Sequence, residues 1–410
     1  MKRIWVFVIS FTLLLASCEE EKKDIATGDW LAKLEVSPTE TLPFSFSISK
    51  GENESYIIEM YNAEEVILVE EIEVWNDSIH IKMPVFEGYL LGTFTEKEIS
   101  GNFIKESLDR IVPFKAKFGK KDRFKVSSSA ITNISGIWEV DFDVETENEY
   151  PAKGIFRQDG NDVEGTFRTK TGDYRYLEGI VTGDTLKLST FDGAHAFLFI
   201  AKISDSTLQG NFYSGNHAVE KFVGKRNEAF ELPDADSLTF LKEGYDRFYF
   251  SFPDETGKTV ALSDSRFDNK VVLVQIMGTW CPNCLDETKF YIDFLDKNPD
   301  LNVEFVALAF EYAKTEEKSW EGIKRLKNKL GVDYPILLAQ YGSSDKQKAN
   351  EKLPMLNHVL SYPTTIYIGK QGNVEKIHTG FNGPATGEKH EAFKKEFKET
   401  IRKLNVQKTK

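Results

Sequence analysis

"VVLVQIMGTWCPNC", residues 271–284, runs from an unbroken apolar stretch into two cysteines three positions apart. A continuous apolar run of this length is typical of a strand buried on both faces. The adjoining stretch, "CPNCLDETKFYIDFLDKN", has a helical pattern with Phe290, Phe294 and Leu295 on one side. The cysteine pair is therefore expected where a strand ends and a helix begins. There Cys281 falls at or near the N-cap, its sulfur facing unpaired backbone N–H groups and the positive end of the helix dipole, which favours the thiolate. Pro282 takes the first helical position, where a missing N–H costs nothing. Cys284 lies three residues on, on the same face, placed to attack a mixed disulfide formed on Cys281 and release the partner.

Strand and helix alternate outward from this point. "NVEFVALAF" reads as a second buried strand and "EEKSWEGIKRLKNKLG" as an amphipathic helix stopped by Gly331. "YPILLAQ" is a further strand, "TTIYIGKQGNVEKIHTG" a hairpin with a Gln-Gly turn, and "GEKHEAFKKEFKETIRKL" a closing helix with Phe393 and Phe397 one turn apart. "KTVALSD" fits a leading hairpin, and "ELPDADSLTFLKEG" a linker or short helix. This alternation predicts an α/β sheet with helices on its faces, over residues 250–404 after a linker at 231–249.

The first half differs in texture. Short alternating runs such as "LPFSFSIS", "SYIIEMY" and "HAFLFIAKI" are separated by turn signals, with no helical period. The half is also duplicated. "GDW" at 28–30 matches "GIW" at 136–138, "DSIHIKMP" at 77–84 matches "DTLKLSTF" at 184–191, and "EISGNF" at 98–103 matches "TLQGNF" at 207–212, each offset by 107 to 109 residues. The fold class is thus multidomain: two all-β repeats (25–125 and 133–230), each a small barrel or sandwich of about six to eight strands, then the α/β domain. Trp30 and Trp138 are expected to plug barrel ends. The Gly-x-Trp start is similar to that of lipocalin-like barrels.

The N-terminus reads as an export signal rather than as fold. "MKR" is basic and "IWVFVISFTLLL" apolar but too short to span a bilayer. "LASC" (Leu15 to Cys18) resembles a bacterial lipobox, which implies a signal peptide over 1–17 and lipidation of Cys18, with 18–24 as an acidic tether. An anchor of more than one acyl chain holds stably. The expected location is the cell envelope, lipid-anchored at the periplasmic face or on the outer surface of the outer membrane.

Cysteine arithmetic narrows the role of the pair. The chain has three cysteines. With Cys18 lipidated, Cys281 and Cys284 can pair within one molecule only with each other. So small a loop removes little chain entropy, which makes the pair a poor structural staple. A structural zinc site takes four ligands. The chain has no further cysteine, and its six histidines (His80, His195, His217, His358, His378, His390) are scattered. No metal is expected. A net charge of −13 argues against nucleic acid as a partner.

Residues 250–404 resemble the thioredoxin superfamily, and within it the exported TlpA/ResA-type thiol–disulfide oxidoreductases, including lipoprotein members with an N-terminal β-rich region. "VVLVQIMGTWCPNC" matches that family's strand, Trp and C-x-x-C. "SYPTTIYI" and "GNVEKIHTGFNGPATG" match its cis-proline segment and the strand and loop after it. The resemblance implies that Cys281 attacks, Cys284 resolves, and Trp280 shelters the pair. It implies that Pro363 is cis and, with Tyr362, binds extended partner backbone. It also implies that Glu287 tunes the thiols and relays protons. The buried Asp of thioredoxin is replaced by Gln275, which leaves Glu287 as the one buried acid expected under the site.

The resulting expectation is a membrane-anchored extracytoplasmic enzyme, a reductant or shuffler of disulfides. It would use no cofactor beyond its own Cys281–Cys284 disulfide. Its partners would be exported proteins with thiols or disulfides, and an upstream electron donor in the envelope. The alternative is a ligand- or partner-binding surface lipoprotein in which the β repeats do the work.

Overall fold

The computed structural model describes residues 24–406. The expected signal peptide, Cys18 and the tether up to Lys23 lie outside the described residues.

Each β repeat is an antiparallel meander of nine strands, more than the six to eight that the sequence implies. Short strands such as Glu65–Val69, Ile72–Trp75 and Gly172–Asp173 carry too few residues to leave an alternating signature. In the first repeat Gly28–Glu35 pairs with both Thr41–Lys50 and Arg110–Phe118. The ring stays open, because Glu65–Val69 and Ile72–Trp75 end the sheet on opposite edges. The second repeat closes, because Tyr150–Asp159 pairs with Asp162–Thr169 as well as with Gly136–Phe142. Gly172–Asp173 is appended to Asp162–Thr169, on the rim of the ring.

Period-two patterning drives both cores. In Thr41–Lys50, Leu42, Phe44, Phe46 and Ile48 are all buried, and each such side chain contributes about 1.5–3 kcal/mol. The duplication is visible in atomic detail. Trp30 and Trp138 are both fully buried, and each indole N–H donates to the carbonyl four residues back, Ala26 O at 3.0 Å and Ile134 O at 2.8 Å. Trp30 sits opposite Phe118 and Trp138 opposite Arg226, the same register one repeat apart.

The C-terminal domain has a five-stranded sheet in the order Ile336–Gln340, Val303–Phe310, Val271–Met277, Thr364–Ile368, Val374–Thr379. The first three strands are parallel and the last two antiparallel. Val271–Met277 is central and every residue in it is buried, as its apolar run requires. The helices are α1 (Pro282–Lys297), α2 (Glu316–Leu330), α3 (Lys346–Lys352) and α4 (Glu388–Val406). α2 starts on the Thr315 cap and stops at left-handed Gly331. α3 has no counterpart in the sequence reading, being only seven residues long. α1 and α4 join through aromatic rings, with Phe290 and Phe294 each about 5 Å from Phe397.

Residues 231–249 form no helix. They strap onto the C-terminal sheet instead: Thr379 Oγ1 donates to Thr239 Oγ1 at 2.8 Å, and Leu241 bridges to Leu356.

Candidate redox site

The central strand delivers Gly278-Thr279-Trp280 to the start of α1. Cys281 is the N-cap residue, in extended conformation (φ −99°, ψ 114°). Its Sγ accepts the N–H of Cys284 at 3.1 Å, so the sulfur stands where an Asn or Ser cap oxygen would be. Cys281 and Cys284 are joined in a disulfide with Cα atoms 5.2 Å apart. Cys284 is fully buried, whereas Cys281 keeps 6% of its surface, so an incoming group meets Cys281 first.

The Tyr362–Pro363 peptide bond is cis. The Tyr362 carbonyl oxygen lies 3.3 Å from Cys281 Sγ. The Tyr362 ring meets Trp280 edge-on with centroids 5.5 Å apart, and the Trp280 indole N–H donates to Phe310 O at 2.9 Å.

Glu287 is fully buried one helical turn beyond Cys284. Gln275 Nε2 donates to its Oε2 at 2.8 Å and Thr365 Oγ1 to its Oε1 at 3.0 Å. Burial pushes its carboxyl up to about 7, against the opposing effect of hydrogen bonds from Gln275, Tyr291 and Thr365. Gln275 thus positions the buried acid.

Glu287 is not the one buried acid near the cysteines. Glu311, 3% exposed at the end of Val303–Phe310, accepts the Thr279 N–H at 2.8 Å and the Thr279 hydroxyl at 2.7 Å. Burial pushes it to about 7 as well. It clamps the turn that carries Trp280. The sequence signal was an acid directly after an unbroken apolar run, at "FVALAFE".

The second repeat reaches onto the site. Ser361 donates to Thr171 O at 2.8 Å, and Asn283 Nδ2 to Asp173 O at 3.1 Å. Asp173, buried, accepts the N–H groups of Gly383 at 2.5 Å and Arg175 at 2.7 Å, and burial raises it to about 6. Arg175, also buried, pairs with Asp286 of α1 at 2.7 Å, with Asp192 at 3.4 Å and with Glu65 of the first repeat. One guanidinium therefore ties both repeats to the active-site helix, and it also donates to Pro282 O at 3.2 Å. None of Asp173, Arg175 and Gly172 carries a local signal. His358 is exposed on a loop.

Residues 231–394 match the Redoxin family. The C-terminal domain belongs to the thioredoxin superfamily. Over 144 residues the chain is 28% identical to the thioredoxin-like protein YneN of Bacillus subtilis (strain 168), covering 34% of this chain and 73% of that one. Among solved structures it is similar to a thiol:disulfide interchange protein of the thioredoxin family from Chlorobium tepidum TLS, at 18% identity and a TM-score of 0.30, covering 40% of this chain and 97% of that one. It is similar also to a thiol-disulfide oxidoreductase from Bacteroides fragilis NCTC 9343, at 18% identity and a TM-score of 0.27, covering 36% and 99%. A thioredoxin-like domain with a C-x-x-C disulfide at a helix N-terminus is a thiol–disulfide oxidoreductase, and its substrates are thiol-containing partners.

Proposed function

We propose that the chain is a lipid-anchored enzyme of the bacterial envelope that reduces or reshuffles disulfides in exported proteins. The observation that carries the reading is the unequal burial of Cys281 and Cys284 at the α1 N-terminus. In the proposed cycle the Cys281 thiolate attacks one sulfur of a client disulfide. The client S–S bond breaks, a mixed disulfide forms, and one client thiolate leaves. Cys284 then gives up its proton, with the ionised Glu287 carboxylate one turn away as the base that takes it up. Its thiolate attacks Cys281 Sγ and frees the second client thiol. The enzyme ends as the Cys281–Cys284 disulfide, two electrons poorer, and an upstream dithiol donor restores it. No bound cofactor enters this cycle. Trp280, Tyr362 and Pro363 form the wall against which client backbone would lie.

Dithiothreitol-driven reduction of insulin by wild type and Cys281→Ser tests the reading. Wild type should accelerate precipitation of the insulin B chain, and the variant should not. An inactive wild type, or a fully active variant, sinks it. A redox titration sets the direction: a potential below about −200 mV fits a reductant, and one near −120 mV an oxidant.

A further inference from the structure

Beside Cys281 lies a cavity of about 380 Å³ whose walls come from all three domains. The first repeat contributes Lys105 and Arg110, the second contributes the Gly172–Asp173 rim and Phe197, and Tyr362 lies on the C-terminal side. Lys105 and Arg110 are cross-strand partners in an antiparallel ladder. Like charges directly opposite one another are unfavourable there. Lys105 is also only 8% exposed, and its ammonium has a single neutral acceptor, Ala194 O at 2.9 Å. Among the described residues no carboxylate lies within ion-pair distance of Lys105 or Arg110. The one carboxyl in the cavity wall, Asp173, is turned onto the N–H groups of Gly383 and Arg175. Burial, and then the field of Arg110, pushes the Lys105 ammonium down to about 8, so that it is still mostly charged at pH 7, and the more distant Asp192 and Glu87 do not offset this. Burial, and then the positive field of Arg110 and Lys105, pushes the neighbouring His217 down to about 4. In a chain of net charge −13, two juxtaposed and uncompensated cations thus face the cavity that opens on the reactive sulfur.

We propose that this cavity selects disulfides whose flanking groups carry carboxylates, with Lys105 and Arg110 binding the anion while Cys281 attacks the adjacent sulfur. This rests on disulfide exchange at Cys281. The anion supplies the charge that the paired cations lack, and a low-dielectric cleft of one sign concentrates such substrates. The first repeat thereby acts as a specificity element rather than as a spacer.

The test reacts the reduced full-length chain with two small disulfides: the dianion dithiobis(nitrobenzoate) and the neutral dithiodipyridine. Each yields two thiolates per disulfide consumed while the protein forms Cys281–Cys284. Two peptide disulfides, with Asp or Asn flanking the cystine, extend the comparison to polypeptide. At low ionic strength the anionic-to-neutral rate ratio should fall about tenfold in Arg110→Gln and further in Lys105→Met/Arg110→Gln. In wild type alone the same ratio should shrink as salt is raised. A ratio unmoved by both substitutions and salt overturns the proposal. So does an equal slowing with both probes, which would mean that the cations act on the thiol and not on the substrate. A preference for the small dianion without one for the Asp peptide assigns the cavity to small dicarboxylate disulfides. The reverse assigns it to acidic polypeptide, and either outcome upholds the carboxylate. If wild type reacts with neither probe, disulfide exchange itself fails and takes this proposal with it.

Discussion

Gln275 Nε2 donates to Glu287 Oε2 at 2.8 Å and lies 3.5 Å from the carbonyl oxygen of Cys284. A buried acid is thus held one turn beyond Cys284 by an amide and a hydroxyl and not by a cation. With no cation to keep it ionised, burial dominates and the carboxyl is pushed up to about 7, poised to take and return a proton near neutral pH. Glu287→Gln should lower insulin-reduction turnover at pH 7–8 by about 10²-fold and remove an inflection near pH 7. Because the folded state raises this group from 4.5 to about 7, its proton stabilises the fold fully below about pH 4.5. That contribution, about 3 kcal/mol, is lost as pH rises through 7. A melting-temperature series from pH 5 to 8 should therefore be flatter in the variant than in wild type.

Arg175 satisfies carboxylates from three parts of the chain, so removing it strands buried charge. Arg175→Met should cost about 3–5 kcal/mol in urea unfolding. Limited proteolysis should then separate the repeats from the C-terminal domain. Arg175→Lys should rescue little, because a single ammonium cannot replace bonds to Asp286, Asp192 and Pro282 O made by a planar, forked guanidinium.

The line between what was legible and what was not runs through these two residues. Cys281, Cys284 and Glu287 share one helix, and their spacing alone puts them together. The all-apolar run before them marks the central strand, and "SYPTT" marks the cis bond. The strand repeats were legible because burial alternates with period two. Arg175 was not legible: its partner Asp286 is 111 residues away, and nothing near "GDYRY" records which carboxylates it meets. The inward reach of the second repeat was hidden for the same reason. It depends on how two domains dock, and docking leaves no periodic trace in either.

Gly172 is a point of close approach in that docking. It sits at φ +141°, and a Cβ there would come within 2.0 Å of Asn283 Nδ2, in the first turn of α1. Gly172→Val should cost about 1–3 kcal/mol and lift the rim off Cys281, so that iodoacetamide modifies the reduced thiol several-fold faster. Gly160→Val is the control: it also has positive φ, but nothing lies within 4 Å of its Cβ position. It should lose stability without any gain in alkylation.

The proposed lipidation at Cys18 has a direct readout. Cys18→Ala should move the protein from the membrane fraction to the soluble fraction and abolish labelling by a palmitate analogue, since a single unacylated leader provides no stable anchor. A wild type that takes up no label, or a Cys18→Ala variant that keeps it, would reject the lipobox reading.

Glu311 makes the last case, because it acts on the turn and not on the sulfurs. Its two oxygens take both the backbone N–H and the hydroxyl of Thr279, the residue before Trp280. Glu311→Ala leaves both donors buried without acceptors, at about 1–3 kcal/mol each. Glu311→Gln keeps one carbonyl acceptor and should lose roughly half as much. Burial raises the wild-type carboxyl to about 7, so its contribution, like that of Glu287, is present at low pH and lost as pH rises through 7. If the clamp serves only stability, kcat/KM on insulin at low temperature should match wild type. If it sets Trp280 against the client, kcat/KM should fall in Glu311→Ala while alkylation of reduced Cys281 stays as fast as in wild type. The second outcome is expected, since the Trp280 indole is itself tied to Phe310, the residue before Glu311.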